Sequence, residues 1–244
     1  MNRSSGRRRI RIGSPPTPDS NVPVSVTNPI NIDDPTPGNR PDPNSLHREL
    51  IGHGTRDSLH HIPDQSIVVI PCNCLGEWVS RFGKEAKSYF PGAHNEDFKH
   101  CTSFMDNKTG FPGNEFVGTS FIIPPTMNDT AANGKQIWLA CLYISHGYGA
   151  ADTQTGRPGQ DKHPDVSFQT KDALKHFRRQ LRRGDCGMNN NLRGWNKWGK
   201  GMVIVTPKFS SAGETNWSIY RQHIEECFSD WQGQWLALRD FYTT

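Results

Sequence analysis

Four β-branched residues in a row, Ile67-Val68-Val69-Ile70, run into Pro71-Cys72-Asn73-Cys74-Leu75-Gly76-Glu77-Trp78. A short continuous apolar run of this kind suits a strand covered on both faces, as inside a parallel sheet. Ligands of such sheets sit just beyond the carboxyl ends of the strands. Small polar residues, a glycine and a lone Trp at that position let backbone approach a ligand closely.

The chain has 244 residues, of which roughly the first 47 are compositionally distinct. That segment holds nine of the 18 prolines and no Phe, Trp or Tyr. It has too little apolar surface to offset the entropy of ordering it, so residues 1–47 are expected to be a disordered tail. Its charge is concentrated in Arg3, Arg7, Arg8, Arg9 and Arg11, with no acid among the first twelve residues. Two readings stand for this cluster, a contact to nucleic acid or import machinery and a merely solvated tail. The arginines are not followed by an apolar h-region, so no secretory signal is expected. No stretch reaches the roughly 18 apolar residues of a membrane span.

Six cysteines, Cys72, Cys74, Cys101, Cys141, Cys186 and Cys227, are spread over a domain large enough to hold itself together. They are expected to be free thiols in a cytoplasmic or nuclear protein. Cys72 and Cys74 are separated by one residue and have no second pair, so neither a metal site nor a cofactor is expected.

Residues 48–244 alternate strand and helix signals. Strands are expected at Ile67–Ile70, Phe116–Ile123, Ile137–Ile144, Met202–Val205 and Gln234–Leu238. Helices are expected at Glu77–Phe90, Ala93–Cys101, from an N-cap at Asp165 onward, and around Trp217–Phe228. A Gly/Asn-rich insertion occupies 184–201. This alternation implies an α/β fold in three layers, a mixed sheet with helices on both faces.

Three strand ends carry suggestive text. In the first, the Asn73 amide offers both donor and acceptor, suited to a pair of sugar hydroxyls or to satisfying its own turn. The second, Ser145-His146-Gly147-Tyr148-Gly149, is a loop whose glycines let amides converge on an anion. There His146 reads as an acid–base group or a solvated side chain. The third runs from Thr206 through Ser211-Ala212-Gly213-Glu214 into a helix. Glu214 reads either as a first-turn acid or as a general base for water. Trp78 and Trp217 read as stacking platforms or as core.

These three loops, in this order, resemble those of the macro domain, an α/β/α module that binds ADP-ribose. The resemblance covers roughly residues 50–242, and its fungal ADP-ribose 1''-phosphate phosphatase branch is the most similar. Cys72-Asn73-Cys74-Leu75-Gly76-Glu77-Trp78 resembles the family's Cys-Asn-x-x-Gly-Ser-Trp stretch, and Tyr89-Phe90-Pro91-Gly92-Ala93 its Tyr-Pro-x-Ala text. Cys141 through Gly149 resembles the phosphate-wrapping loop, and Pro207 through Trp217 the segment where related hydrolases carry an acid.

The resemblance implies catalytic roles for Asn73 and Glu214. It implies ligand contacts from Asp57, Cys72, Trp78, Arg81, Ser145, His146, Gly147, Tyr148, Gly149, Ser211, Ala212 and Gly213. Two departures accompany it. Val79-Ser80-Arg81-Phe82-Gly83 stands where the family has Gly-Ala-Gly-Ile-Ala, which adds side chains where backbone met the diphosphate. Arg81 there either contacts phosphate or blocks the site. Ile70 stands where the phosphatase branch has a His.

The expected function is a hydrolase acting on an ADP-ribose derivative, most simply a phosphatase for ADP-ribose 1''-phosphate. The alternatives are a non-catalytic reader of ADP-ribosylated protein and a degenerate macro-fold protein. The expected partner is thus ADP-ribose or its phosphate, with no membrane, and with nucleic acid only through the Arg-rich tail.

Overall fold

A computed structural model describes residues 48–50, 59–106, 109–184, 202–208, 217–231 and 233–238. The chain divides between Pro41 and Asp42, and every described residue lies in the second unit. The expected tail 1–47 and residues 185–201 of the insertion are outside the described residues.

Six strands form one sheet: β1 (Arg48–Leu50), β2 (Ile67–Asn73), β3 (Ser120–Ile123), β4 (Trp138–Ser145), β5 (Ile204–Pro207) and β6 (Trp235–Leu238). Their order is β1-β6-β5-β2-β4-β3. Neighbours are parallel except β3, which runs antiparallel to β4 at the edge. Parallel pairing from Ile67↔Trp138 onward brings the ends of β2 and β4 to the same edge, and the register slips between Cys72 and Asn73. This is the mixed α/β/α architecture that the alternation implied.

The side-chain period of a strand distributes β2 and β4 between two cores. Val68, Ile70, Cys72, Leu139, Cys141 and Tyr143 face helices α1 (Arg81–Tyr89) and α2 (Pro91–Thr102). Ile67, Val69, Trp138, Ala140 and Leu142 face α4 (Asp165–Arg183) and α5 (Trp217–Cys227). On α4 the apolar residues Val166, Ala173, Leu174, Phe177 and Leu181 are all buried, as their helical spacing predicted.

Several boundaries differ from expectation, each for a local reason. Helix α1 begins at Arg81, not Glu77, because Ser80 caps it: its Oγ accepts from the Gly83 amide at 2.9 Å. Pro91 both ends α1 and opens α2 at its first position, where a missing N–H costs nothing. The amides of Gly92 and Ala93 are satisfied by Asp129, at 2.8 Å each. Asp129 lies on a short helix not expected from sequence, α3 (Met127–Asn133), whose seven residues carry no amphipathic stripe.

Strand β3 is half its expected length. Gly118 takes a left-handed φ of 78°, so Phe116–Thr119 turns before the strand begins. Asp165 is the first helical residue of α4, not its cap; Pro164 holds the cap position without a side-chain bond.

Candidate functional site

The carboxyl ends of β2 and β4 deliver two loops side by side. In the first, the Asn73 carboxamide organises its own turn. Its Oδ1 accepts from the Leu75 amide at 2.9 Å and its Nδ2 donates to the Glu77 carbonyl at 2.6 Å. This is the turn-satisfying role; Asn73 is 6% exposed. Gly76, with φ of 71°, packs so close to α2 that a β-carbon there would lie 2.9 Å from the Phe98 Cα. The Cys74 amide then donates to the carbonyls of Ser145 and His146, both at 3.1 Å, which ties the first loop to the second.

The second loop, residues 145–161, is a strap folded back on itself. Ser145 Oγ donates to the Gly147 carbonyl at 2.9 Å and accepts from the Asp161 amide at 2.8 Å. Asp161 Oδ2 accepts from the His146 amide at 2.9 Å and from Gln169 Nε2 on α4 at 3.1 Å. His146 Nε2 donates to the Pro112 carbonyl at 2.8 Å, so its ring is anchored. The Gly147 amide donates to Gly159, and any side chain on Gly147 would fall on the Pro158 carbonyl oxygen. Gly149 instead has open space around its Cα and a φ of 58°. Arg157 clasps the strap from its return limb. Nη1 donates to the Tyr148 carbonyl at 2.6 Å, Nη2 to the Ala150 carbonyl at 2.8 Å, and the guanidinium lies 4.4 Å over the Tyr148 ring.

Cys72 and Trp78, expected to line the ligand site, are instead sealed in the layer below it, 4% and 2% exposed. Trp78 Nε1 donates to Asp97 Oδ2 at 2.8 Å, and the Tyr143 hydroxyl donates to Oδ1 at 2.6 Å. Burial raises the Asp97 carboxyl above the usual range. Burial also pushes the Cys72 thiol up to about 11 and raises Cys74, Cys101 and Cys141. None of these thiols has the lowered pKa of an activated nucleophile. Cys72, Asp97 and Cys141 bring three donor atoms within 4.8 Å of one another, so they have the span to hold a metal ion. Both Asp97 oxygens are, however, already satisfied by neutral donors, and this cluster is complete as a hydrogen-bonded core.

Val79 and Arg81 stand at the surface, Val79 being 37% exposed. Arg81 lies 3.9 Å from Glu85, one helical turn on. Asp57, Ser211, Ala212, Gly213 and Glu214 lie outside the described residues. Sequence reasoning missed Asp97, Arg157 and Asp161. Arg157 and Asp161 sit in an aperiodic polar loop, and Asp97 on a helix whose other polar residues are exposed or only partly buried.

No family model matches the chain. It is similar to curated fungal proteins named ADP-ribose 1''-phosphate phosphatase. The protein of Neosartorya fischeri is 29% identical over 153 residues, 54% of this chain and 70% of that one. The protein of Aspergillus fumigatus is 31% identical over 109 residues, 38% of this chain and 54% of that one. The chain spans only part of the length of these curated relatives. Solved macrodomains overlay loosely on it. That of Thermus aquaticus DarG has a TM-score of 0.49 at 14% identity, covering 80% of this chain and 97% of its own. The macrodomain of Mycobacterium tuberculosis DarG has a TM-score of 0.48 at 12% identity, covering 80% of this chain and 97% of its own.

Proposed function

We propose that this chain is a macro domain and a hydrolase of ADP-ribose derivatives, acting on the phosphate ester of ADP-ribose 1''-phosphate. The observation that carries the reading is the strap after β4, held rigidly beside the Asn73 turn at the carboxyl edge of parallel strands. The relatives' name supplies the substrate class.

In this reading Asn73 fixes the floor on which the distal ribose rests, and backbone around Gly147–Gly149 holds phosphate. Glu214 takes a proton from water as the water oxygen bonds to phosphorus. The bond from phosphorus to the ribose oxygen breaks, that oxygen takes up a proton, and ADP-ribose and inorganic phosphate leave. Five described cysteines are free, which fits the reducing cytoplasm or nucleus.

Phosphate release from ADP-ribose 1''-phosphate is the test. Turnover that Glu214→Gln abolishes, with ADP-ribose affinity kept, is the expected result; binding without turnover in the unaltered protein sinks the hydrolase.

A second reading has a specific support. Ile70 lies buried where the phosphatase branch carries a His, and Val79 and Arg81 replace two glycines. A non-catalytic reader of ADP-ribosylated protein needs neither group. It predicts ADP-ribose binding that is insensitive to Glu214→Gln.

A further inference from the structure

We propose that Arg157 is a positioning residue that makes the strap after β4 an anion grip, an inference that rests on the ADP-ribose reading above. Its guanidinium is half-buried, and it donates to the carbonyls of Tyr148 at 2.6 Å, Ala150 at 2.8 Å and Pro158 at 3.3 Å. Three main-chain acceptors and an aromatic face fix one planar group, a use that suits the rigid fork of Arg and not the point charge of Lys.

The direction of those carbonyls sets the direction of an amide. The Tyr148–Gly149 peptide is trans, so its N–H points opposite to its C=O. With the Tyr148 carbonyl turned onto the guanidinium, the Gly149 N–H is turned away from it, at an exposed residue with open space around its Cα. The left-handed φ of 58° at Gly149 is what allows the strap to bend there.

Charge adds to geometry. A cation bonded to a peptide oxygen polarises that peptide and strengthens its N–H as a donor, as in any chain of cooperating hydrogen bonds. Among the described residues no carboxylate forms a salt bridge with Arg157, whose hydrogen bonds all go to main-chain carbonyls. Asp152, which feels the Arg157 charge, is turned into its own turn, accepting from Thr155 Oγ1 and the Gln154 amide, both at 2.9 Å. At the other end Asp161 pins the strap to the His146 amide and to α4. The strap is thus braced at its base by an anion and at its tip by a cation, which leaves positive character on its outer amides.

The test compares the protein with Arg157→Gln and Arg157→Lys, using calorimetry with ADP-ribose and with adenosine, and amide resonances during titration with inorganic pyrophosphate. Arg157→Gln is expected to weaken ADP-ribose about tenfold, on the scale of one charge-assisted bond, with adenosine affinity unmoved. Arg157→Lys is expected to recover part of the loss, and the Gly149 amide is expected to shift with pyrophosphate only when Arg157 is present. If Arg157→Gln does not fold, Arg157→Lys carries the same comparison. Equal weakening of ADP-ribose and adenosine would reduce Arg157 to structural glue and overturn the proposal. So would a Gly149 response that survives the loss of the guanidinium. A protein that ignores ADP-ribose yet shows an Arg157-dependent pyrophosphate shift at Gly149 would refute the functional reading and leave this inference standing.

Discussion

Two polar networks lie on either side of the β2–β4 edge, and they are built on opposite principles. Beneath the sheet edge, Asp97 joins Trp78 and Tyr143 side chain to side chain, in a layer that also holds Cys72, Cys101 and Cys141. Beyond the edge, Arg157 hydrogen-bonds to main-chain carbonyls and the Asp161 carboxylate to the His146 amide and Gln169, at or near the surface. The sealed network sets the stability of the scaffold, because a polar group left unpaired there has no water to turn to. The strap network sets the shape of backbone, because each bond fixes the direction of a peptide. The proposed chemistry on a phosphate draws on the second.

The largest expected effect attacks the sealed side. Asp97→Ala strands the Trp78 N–H and the Tyr143 hydroxyl and leaves a gap, a loss of about 3 kcal/mol or more. Urea unfolding checks it, with Asp97→Asn, which keeps an acceptor, losing less.

The contrast sharpens with pH. The Cys72 thiol is raised to about 11 from an ordinary 9.0, so the folded state binds that proton more tightly than the unfolded chain does. Its contribution to stability is complete below about pH 9 and is lost as pH rises through about 11. Replacing Cys72 with Ala should flatten the alkaline limb of a melting-temperature profile over that window.

Within the strap, two glycines separate crowding from conformation. Gly147→Ala drives a methyl into the Pro158 carbonyl and is expected to cost about 1–3 kcal/mol, like other overpacking. Gly149→Ala meets open space and pays only for its left-handed backbone, about 1 kcal/mol. Equal losses from the two in denaturant titration would break the account of the strap. The smallest effect is expected for Arg81→Ala, within about 0.5 kcal/mol, since its side chain is half exposed and its partner Glu85 is a helix neighbour.

The parts legible in the sequence were those with a short period. Ile67–Ile70 and Ile137–Ile144 announced buried strands by unbroken apolarity, and the five apolar residues of α4 announced one helical face. The loops after β2 and β4 were found from glycines and an Asn placed just after those strands. Short α3 escaped because seven residues with one large apolar side chain carry no period. Trp78 was ambiguous because a lone aromatic after a strand fits both a ligand platform and a core, and position alone does not separate them.

What the sequence by itself determined is therefore the layered α/β plan and the sheet edge at which the proposed site is sought, because backbone periodicity is written into consecutive side chains. Only the tertiary structure decided which polar groups meet. Asp97 finds Trp78 at a separation of 19 residues and Tyr143 at 46, Asp129 reaches the start of α2 from 36 residues away, and Asp161 reaches His146 across the strap. Such pairs form where independently specified elements pack together, and a buried charge or amide accepts whichever partner the packing brings within about 3 Å.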